Sequence, residues 1–172
     1  MELQSSQLVE QVMEAYTDLL YRIAYYYVKD PYVAEDMVQE AFIKFYHSNY
    51  DEKGELRAYL SRITANTCKD YLKSWTYKKV KISELILQKE RIIHTDRLVH
   101  QEELTLLDEA ILSLPIKHRE AIVYFYLESL SVKDISLLID APESTIKSRL
   151  KKGKELLKQK LEKEVWEVLL DD

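Results

Sequence analysis

Glycine, proline and cysteine are scarce, with two, three and one residues in a chain of 172. Each shortage removes a class of protein. No Asn-Gly, Asp-Gly or Gly-Gly pair marks a tight hairpin, so the punctuation favours helices throughout. The two glycines, Gly54 and Gly153, stand far apart. A phosphate-cradling loop or a dinucleotide fingerprint needs several glycines together to bring backbone amides onto phosphates, so nucleotide-dependent enzymes are not expected. Cys68 alone cannot form an internal disulfide, which fits a reducing cytosol. With no histidine or acid spaced to activate it, Cys68 reads as a small helix-packing residue. The four histidines, His47, His94, His100 and His118, have no metal-ligand spacing with one another or with Cys68, and neither metal nor cofactor is expected. No apolar run approaches the roughly 20 residues that span a bilayer, and the N-terminus lacks a basic-then-apolar leader. A soluble, cytoplasmic protein is expected.

What is abundant is charge, and it is segregated. The formal net charge is -5, which at first argues against a nucleic-acid partner. Along the chain, however, residues 1–55 carry about -7, 56–81 about +6, 82–143 about -6, 144–163 about +6 and the last nine about -4. Two basic islands in an acidic chain suit a protein that presents two patches to phosphates while its remaining surface repels nonspecific DNA. Weak DNA binding by the isolated chain follows.

The second island lies in the most informative stretch, Ser131 to Lys163. Ser131 and Asp134 have the form of a capping box at a helix start. Val132, Ile135, Leu138 and Ile139 fall at helical spacing, and Asp140-Ala141-Pro142 ends the run, because Asp tolerates a left-handed turn and Pro cannot continue a helix. Ser144 is then placed to cap a second helix. Its buried stripe is Ile146, Leu150, Gly153, Leu157 and Leu161. Thr145, Lys147, Ser148, Lys151 and Lys152 lie off that stripe, near the helix start, where a helix-turn-helix meets the major groove. A solvated lysine-rich face is the alternative reading.

The remaining chain also reads as helices. From Leu8 to Val28 the buried stripe is Val12, Tyr16, Leu19, Leu20, Ile23 and Tyr27, with the crowded Tyr25-Tyr26-Tyr27 as core residues whose hydroxyls reach the edge. Asp30-Pro31 is a cap followed by a first-turn proline. The helix it opens runs to about His47, with Ala34, Val38, Ala41, Phe42 and Phe45 inside. Asp36, Gln39, Glu40, Ile43 and Tyr46 share the outer side. An outward Ile in an acid-and-amide face is either an ordinary exposed residue or a docking site for a basic helix. A loop covers 48–55. In the helix from Leu56 to Trp75, Leu60, Ile63, Thr67, Tyr71 and Trp75 form the inner stripe. Arg62, Asn66, Lys69 and Lys73 recur on another face, extended by Lys78, Lys79 and Lys81. That face is either solvated or a nucleic-acid surface in which Asn66 meets a base edge and the cations hold phosphates. The pattern weakens over 82–101, the expected linker. Beyond it Leu104, Leu107, Ala110 and Ile111 mark one helix, and Pro115 opens another through Leu127. Val165 to Leu170 is an apolar tip.

Three of these stretches resemble bacterial sigma factors. Leu114-Pro115, Arg119, Ile135, Asp140 and Thr145-Ile146-Lys147-Ser148-Arg149-Leu150 resemble sigma region 4, which reads the minus-thirty-five element. Ala34-Glu35-Asp36-Met37-Val38-Gln39-Glu40-Ala41-Phe42 resembles the region 2 motif that grips the clamp helices of the largest polymerase subunit. The series Leu56 to Leu72 resembles the region 2 segment that binds the minus-ten element and captures a flipped nontemplate base. The resemblance implies polymerase binding through Asp36, Gln39, Glu40, Ile43 and Tyr46. It implies minus-ten binding through Leu56, Arg62, Asn66, Lys69 and Lys73, together with the loop from Tyr50. It also implies minus-thirty-five binding through Thr145, Lys147, Ser148, Arg149, Lys151 and Lys152. Tyr46 and Tyr59 stand where relatives have Trp, and Gly153-Lys154 where Ala-Arg is usual.

The expectation is an all-α protein of two small helical domains: residues 1–81 as region 2, 82–101 as linker and 102–172 as region 4. It is similar to group IV sigma factors, the extracytoplasmic-function type. These bind core RNA polymerase, direct it to promoters in stress responses and are held by a cognate, commonly membrane-bound, anti-sigma factor. Recognition rather than catalysis is the implied chemistry. A stand-alone helix-turn-helix regulator would leave the face around Gln39 without a purpose. A small enzyme would need an acid-base or metal constellation that is not evident. A helical adaptor without nucleic acid would tolerate reversal of Lys147 and Lys151.

Overall fold

The computed structural model of the chain describes residues 2–50, 55–74, 78 and 105–161. Among them every regular element is helical, in two clusters: α1 (Glu2–Val28), α2 (Pro31–His47) and α3 (56–74), then α4 (Leu106–Leu112), α5 (Ile116–Ile122), α6 (Val132–Ile139) and α7 (Glu143–Lys160). The expected linker at 82–101, the apolar tip Val165–Leu170, and Leu104, Trp75, Lys79 and Lys81 lie outside the described residues.

The hinge between α1 and α2 is built by three consecutive residues. Lys29 takes a left-handed conformation (φ 61°) and its amide donates to the Tyr25 carbonyl at 2.8 Å, closing α1. Asp30 caps α2, its Oδ1 accepting from the amides of Tyr32 and Val33 at 3.0 and 3.2 Å, and Pro31 opens the first turn. So short a connection folds α2 back along α1, burying Val12, Leu20, Ile23, Ala24 and Tyr27 against Ala34, Met37, Val38, Ala41, Phe42 and Phe45.

α3 covers the open side of this hairpin, turned from its expected register. Of the expected stripe Leu60 and Thr67 are buried, but Ile63 and Tyr71 are only half-buried, and Ser61, Thr64, Ala65 and Cys68 take the inner places beside Leu60 and Thr67. Small residues let the helix approach closely. The hydroxyls are satisfied locally, Thr64 donating to the Leu60 carbonyl at 2.9 Å and Thr67 to Ile63 at 2.8 Å. Tyr50, Tyr59 and Phe45 pack ring on ring, with centroids 4.8 to 6.3 Å apart, at the α2–α3 corner.

In the second cluster α4 starts at Leu106, later than the apolar spacing from Leu104 implies, because Thr105 and Asp108 form a reciprocal capping box. Pro115 stands at the start of α5, and the helix expected to continue to Leu127 does so, but its last five residues, Val123–Leu127, are a π-helix. Ser131 caps α6, accepting from the Asp134 amide at 3.0 Å, and Asp140 ends it in a left-handed conformation, φ 53° and ψ 57°. The capping role expected of Ser144 is not realised. α7 begins at Glu143, two residues before the start that a Ser144 cap would set, after Pro142, whose carbonyl accepts from the amides of Thr145 and Ile146. The α7 stripe is as expected, with Ile146, Leu150, Gly153 and Leu157 buried. Gly153 is the point of closest approach to α5. A Cβ there would lie 2.8 Å from Ile122 Cγ1 and 3.1 Å from Ile122 Cδ1.

The clusters pack against each other through α1, α3 and α5. Arg119 is buried and donates to the Leu114 carbonyl (2.9 and 3.2 Å) and to the carbonyls of Tyr26 (2.8 Å) and Tyr27 (3.2 Å). It thereby fixes the α4–α5 turn and satisfies carbonyls left open at the end of α1. Burial brings its guanidinium down to about 10, still protonated at neutral pH. Tyr26 donates to Asp108 at 2.8 Å, and Tyr27 to Glu120 at 2.6 Å. The hydroxyl of Tyr27, expected at the edge of the core, is therefore inside it, 3.1 Å from that of Tyr124.

Candidate polymerase and nucleic-acid interfaces

Three faces correspond to the three groups of site residues read from the sequence. The first lies on the outside of α2. Because the opposite stripe is committed to the core, Asp36, Gln39, Glu40, Ile43 and Tyr46 are all exposed, Ile43 at 58% and Tyr46 at 51% of their surface. Ile43 and Tyr46 make an apolar spot within reach of Asp36, Gln39 and Glu40, one turn apart on a rigid helix. Glu40 pairs with Lys44 at 2.9 Å, an exposed contact of little strength that a partner can displace.

The second face is on α3. Arg62, Asn66 and Lys73 are exposed, Lys69 and Leu56 partly so. The structure brings these residues onto one helix but does not leave their cations free. The Lys69 ammonium lies 2.9 Å from the buried Glu120 carboxylate, and the Arg62 guanidinium donates to the Leu137 carbonyl at the end of α6. Arg57, at the start of the same helix, pairs with Glu128 at 3.3 Å. Asn66 and Lys73 carry no such bond to the second cluster.

The third face is on α7, where Lys147, Ser148, Lys151 and Lys152 are exposed and Thr145 half-exposed near the helix start. Ser148 donates back to the Ser144 carbonyl at 3.0 Å. Lys152 has only a long exposed pair with Glu155, 3.6 Å. Arg149 is turned inward and reaches Glu120 at 3.4 Å. Its side chain is a quarter exposed, so it differs from its neighbours in facing the α5 seam rather than solvent.

Two residues absent from the sequence reading organise these contacts. Glu120 and Glu128 are both buried. Glu120 receives Tyr27, Lys69 and Arg149; Glu128 receives Arg22 and Arg57, each at 3.3 Å. An available signal was that two carboxylates, Glu120 and Glu128, bracket the apolar run from Ala121 to Leu127, since buried acids are held only when paired. Cys68 is buried, and burial, with the Glu40 carboxylate adding to it, pushes its thiol up to about 12, which disfavours the thiolate. Among the described residues no helix is long and apolar enough to cross a membrane, and no group of three or more His, Cys, Asp or Glu side chains is placed to hold a metal ion.

An exposed acid-and-amide helix beside a cationic helix, followed by a helix-turn-helix with a basic second helix, defines a transcription protein of the sigma type. Residues 12–76 match the sigma-70 region 2 family and residues 104–157 the sigma-70 region 4 family. The chain is 27% identical to the ECF RNA polymerase sigma factor SigW of Bacillus subtilis, over 87% of each chain. It is 31% identical to the ECF RNA polymerase sigma-E factor of Haemophilus influenzae, over 74% of each. The fold is similar to that of CnrH, solved with the cytosolic domain of CnrY, at TM-score 0.64 and 15% identity over 91% of this chain and 92% of that one. It is also similar to the sigma factor RpoE of Bartonella quintana, solved with the anti-sigma factor NepR, at TM-score 0.59 and 19% identity over 87% of this chain and 94% of that one. The chain belongs to the ECF RNA polymerase sigma factor family, with sigma-70 region 2 and region 4 domains. It is accordingly a transcription factor and not an enzyme.

Proposed function

We propose that this sigma factor docks on core RNA polymerase through the outer face of α2, reads the minus-ten element with α3 and reads the minus-thirty-five element with α7. The observation that carries the reading is the exposed apolar spot of Ile43 and Tyr46 set among Asp36, Gln39 and Glu40 on α2. This exposed helix face presents acids and an amide around an apolar centre, which matches a basic helical partner in both charge and shape. On α3, Asn66 is the base-reading residue, Arg62, Lys69 and Lys73 are the phosphate contacts, and Leu56 with Tyr50 contacts the nontemplate strand. Capturing one base offsets only a few kcal/mol of unstacking, roughly, which is enough to bias strand opening. On α7, Lys147, Lys151 and Lys152 hold phosphates while Thr145 and Ser148 face the groove, and Arg149 joins them on leaving Glu120. The domain limits follow as 1–81 and 102–172 with 82–101 between them. The protein works in the cytoplasm, and an anti-sigma factor, as solved with RpoE of Bartonella quintana, restrains it, membrane-bound in its simplest form.

The test is binding to purified bacterial core polymerase, for wild type beside Gln39→Ala/Ile43→Ala. The expected result is co-elution of the wild type and a loss of affinity of about 100-fold in the variant, since two central contacts of an interface are removed. Equal binding by both proteins would move the docking surface off α2.

A further inference from the structure

The minus-ten face is not open in the free protein, and the groups that close it come from the other domain. Glu120 lies at the junction of three elements. Its Oε2 accepts from Tyr27 of α1 at 2.6 Å and pairs with Lys69 of α3 at 2.9 Å, while its Oε1 faces Arg149 of α7 at 3.4 Å. Glu128 follows the π-helix, whose extra residue per turn shifts the side chains beyond it, and it holds Arg22 and Arg57. Arg62 is bonded to the Leu137 carbonyl. Three α3 cations are therefore occupied by region 4 carboxylates or carbonyls, in positions that a phosphate would take.

From these contacts we propose that Glu120 and Glu128 form an internal latch: two buried carboxylates of region 4 stand in for DNA phosphates against α3 and hold the minus-ten face shut until the domains separate. The proposal rests on the reading of α3 as a nucleic-acid surface. The geometry suits a device that opens. Around the apolar centre of Ile23, Tyr27 and Tyr124, the contact is made by ion pairs with partly exposed cations. Beside it runs a groove of about 410 Å³ between Leu19, Arg57, Arg62 and Leu137. An interface with such a groove is not packed to the density of a domain interior, and its ion pairs exchange readily for a polyanion. The latch also explains why Glu120 touches Arg149. Arg149 belongs to the same domain as Glu120 and steadies its carboxylate from within, so separating the domains releases Lys69 and leaves the Glu120–Arg149 pair in place.

The experiment uses the full chain without polymerase, which keeps it independent of the docking proposal. Spin labels at Glu35→Cys on α2 and Lys158→Cys on α7, both exposed, report the distance between domains. Cys68 is buried, with its thiol pushed up to about 12, and does not compete for the label. Affinity for a random-sequence single-stranded oligonucleotide is measured at several salt concentrations by fluorescence anisotropy. In Glu120→Gln/Glu128→Gln the distance distribution is expected to lengthen and broaden. Affinity is expected to rise about ten-fold as the competent population grows, with a salt slope steeper by about one to two counterions as α3 cations are freed. Arg22→Gln/Arg57→Gln, which leaves Glu128 unpaired through changes at partly exposed positions, is expected to lengthen the distance as well. Unchanged distances in both folded variants overturn the proposal. Lengthened distances without a gain in affinity overturn it too, since the face would then not be what the latch covers. A chain that opens and gains affinity yet ignores core polymerase would keep the latch and defeat the docking surface.

Discussion

α3 and α7 carry comparable basic islands in the sequence, about +6 each, yet they stand in opposite states. On α7 the cations nearest the helix start, Lys147 and Lys151, point into solvent, and Arg149 alone of the group turns inward. On α3 the pattern is reversed: Arg62 and Lys69 are engaged by the other domain, and Asn66 and Lys73 are left exposed. A basic face is thus a statement about composition until its counter-charges are located. On the reading proposed above, α7 presents its lysines to duplex DNA as it stands, whereas α3 must first exchange carboxylates for phosphates.

The largest effect is expected at the residue that joins the two regions. Arg119→Ala strands the Leu114, Tyr26 and Tyr27 carbonyls inside the protein and should lower stability by about 3 kcal/mol, read from urea unfolding. A value near zero would mean that the domains are not held together by this side chain. Next is the open face. Lys147→Glu/Lys151→Glu should weaken duplex promoter binding by about 100-fold at low salt without moving the melting temperature, because both positions are exposed. Neutralising an engaged α3 cation, Arg62→Gln, should change single-strand binding of the free protein far less, because that guanidinium is already held by the Leu137 carbonyl, and an equal effect would erase the distinction between the faces. Smaller still is Gly153→Ala. The new methyl meets Ile122 at 2.8 Å, and the strain exceeds the gain in helix propensity, for a net loss of about 1 kcal/mol in chemical denaturation.

The smallest effect is a pH dependence at the α1–α4 contact. Partial burial pushes the Asp108 carboxyl up, but hydrogen bonds from Thr105 and Tyr26 outweigh it and hold the group below the usual carboxylate range. A depressed folded value means that the stabilisation is full above the unfolded value, near 3.9 for an ordinary Asp, and is lost as pH falls through the folded value. Melting followed downward from neutral pH should therefore lose a small increment only in that acid window, and Asp108→Asn should remove the increment.

Much of this was legible in the sequence because it is local. Asp30-Pro31, the Ser131–Asp134 cap and the Asp140 turn set helix limits through groups within a few residues of one another, and the structure places those limits as read. The outward set on α2 was legible for the same reason, since helical period fixes what is left outside once Ala34, Val38, Ala41, Phe42 and Phe45 go in. Elsewhere the local signals misled. Serine at 144 looked like a cap, but Pro142 had already started the helix. Ile63 looked like core, but the small side chains of Ala65 and Cys68 pack closer. What could not be read is pairing at long range. Lys69 with Glu120 and Arg62 with Leu137 are set by how one cluster settles on the other, which no periodicity encodes. Gly153 was legible as a member of the buried stripe, but not as the seat of α7 on α5, because its close neighbour Ile122 is distant in sequence.

The account is tested most directly by run-off transcription with bacterial core polymerase on a pool of promoter fragments, comparing wild type with Gln39→Ala/Ile43→Ala, Asn66→Ala and Lys147→Glu. The expected result is initiation from a small subset of fragments by the wild type. The α2 variant should give no product, Asn66→Ala should bind core but open promoters poorly, and Lys147→Glu should lose dependence on the upstream element. Specific DNA binding by the wild-type chain alone, with core polymerase initiating identically in its presence and absence, would contradict the account.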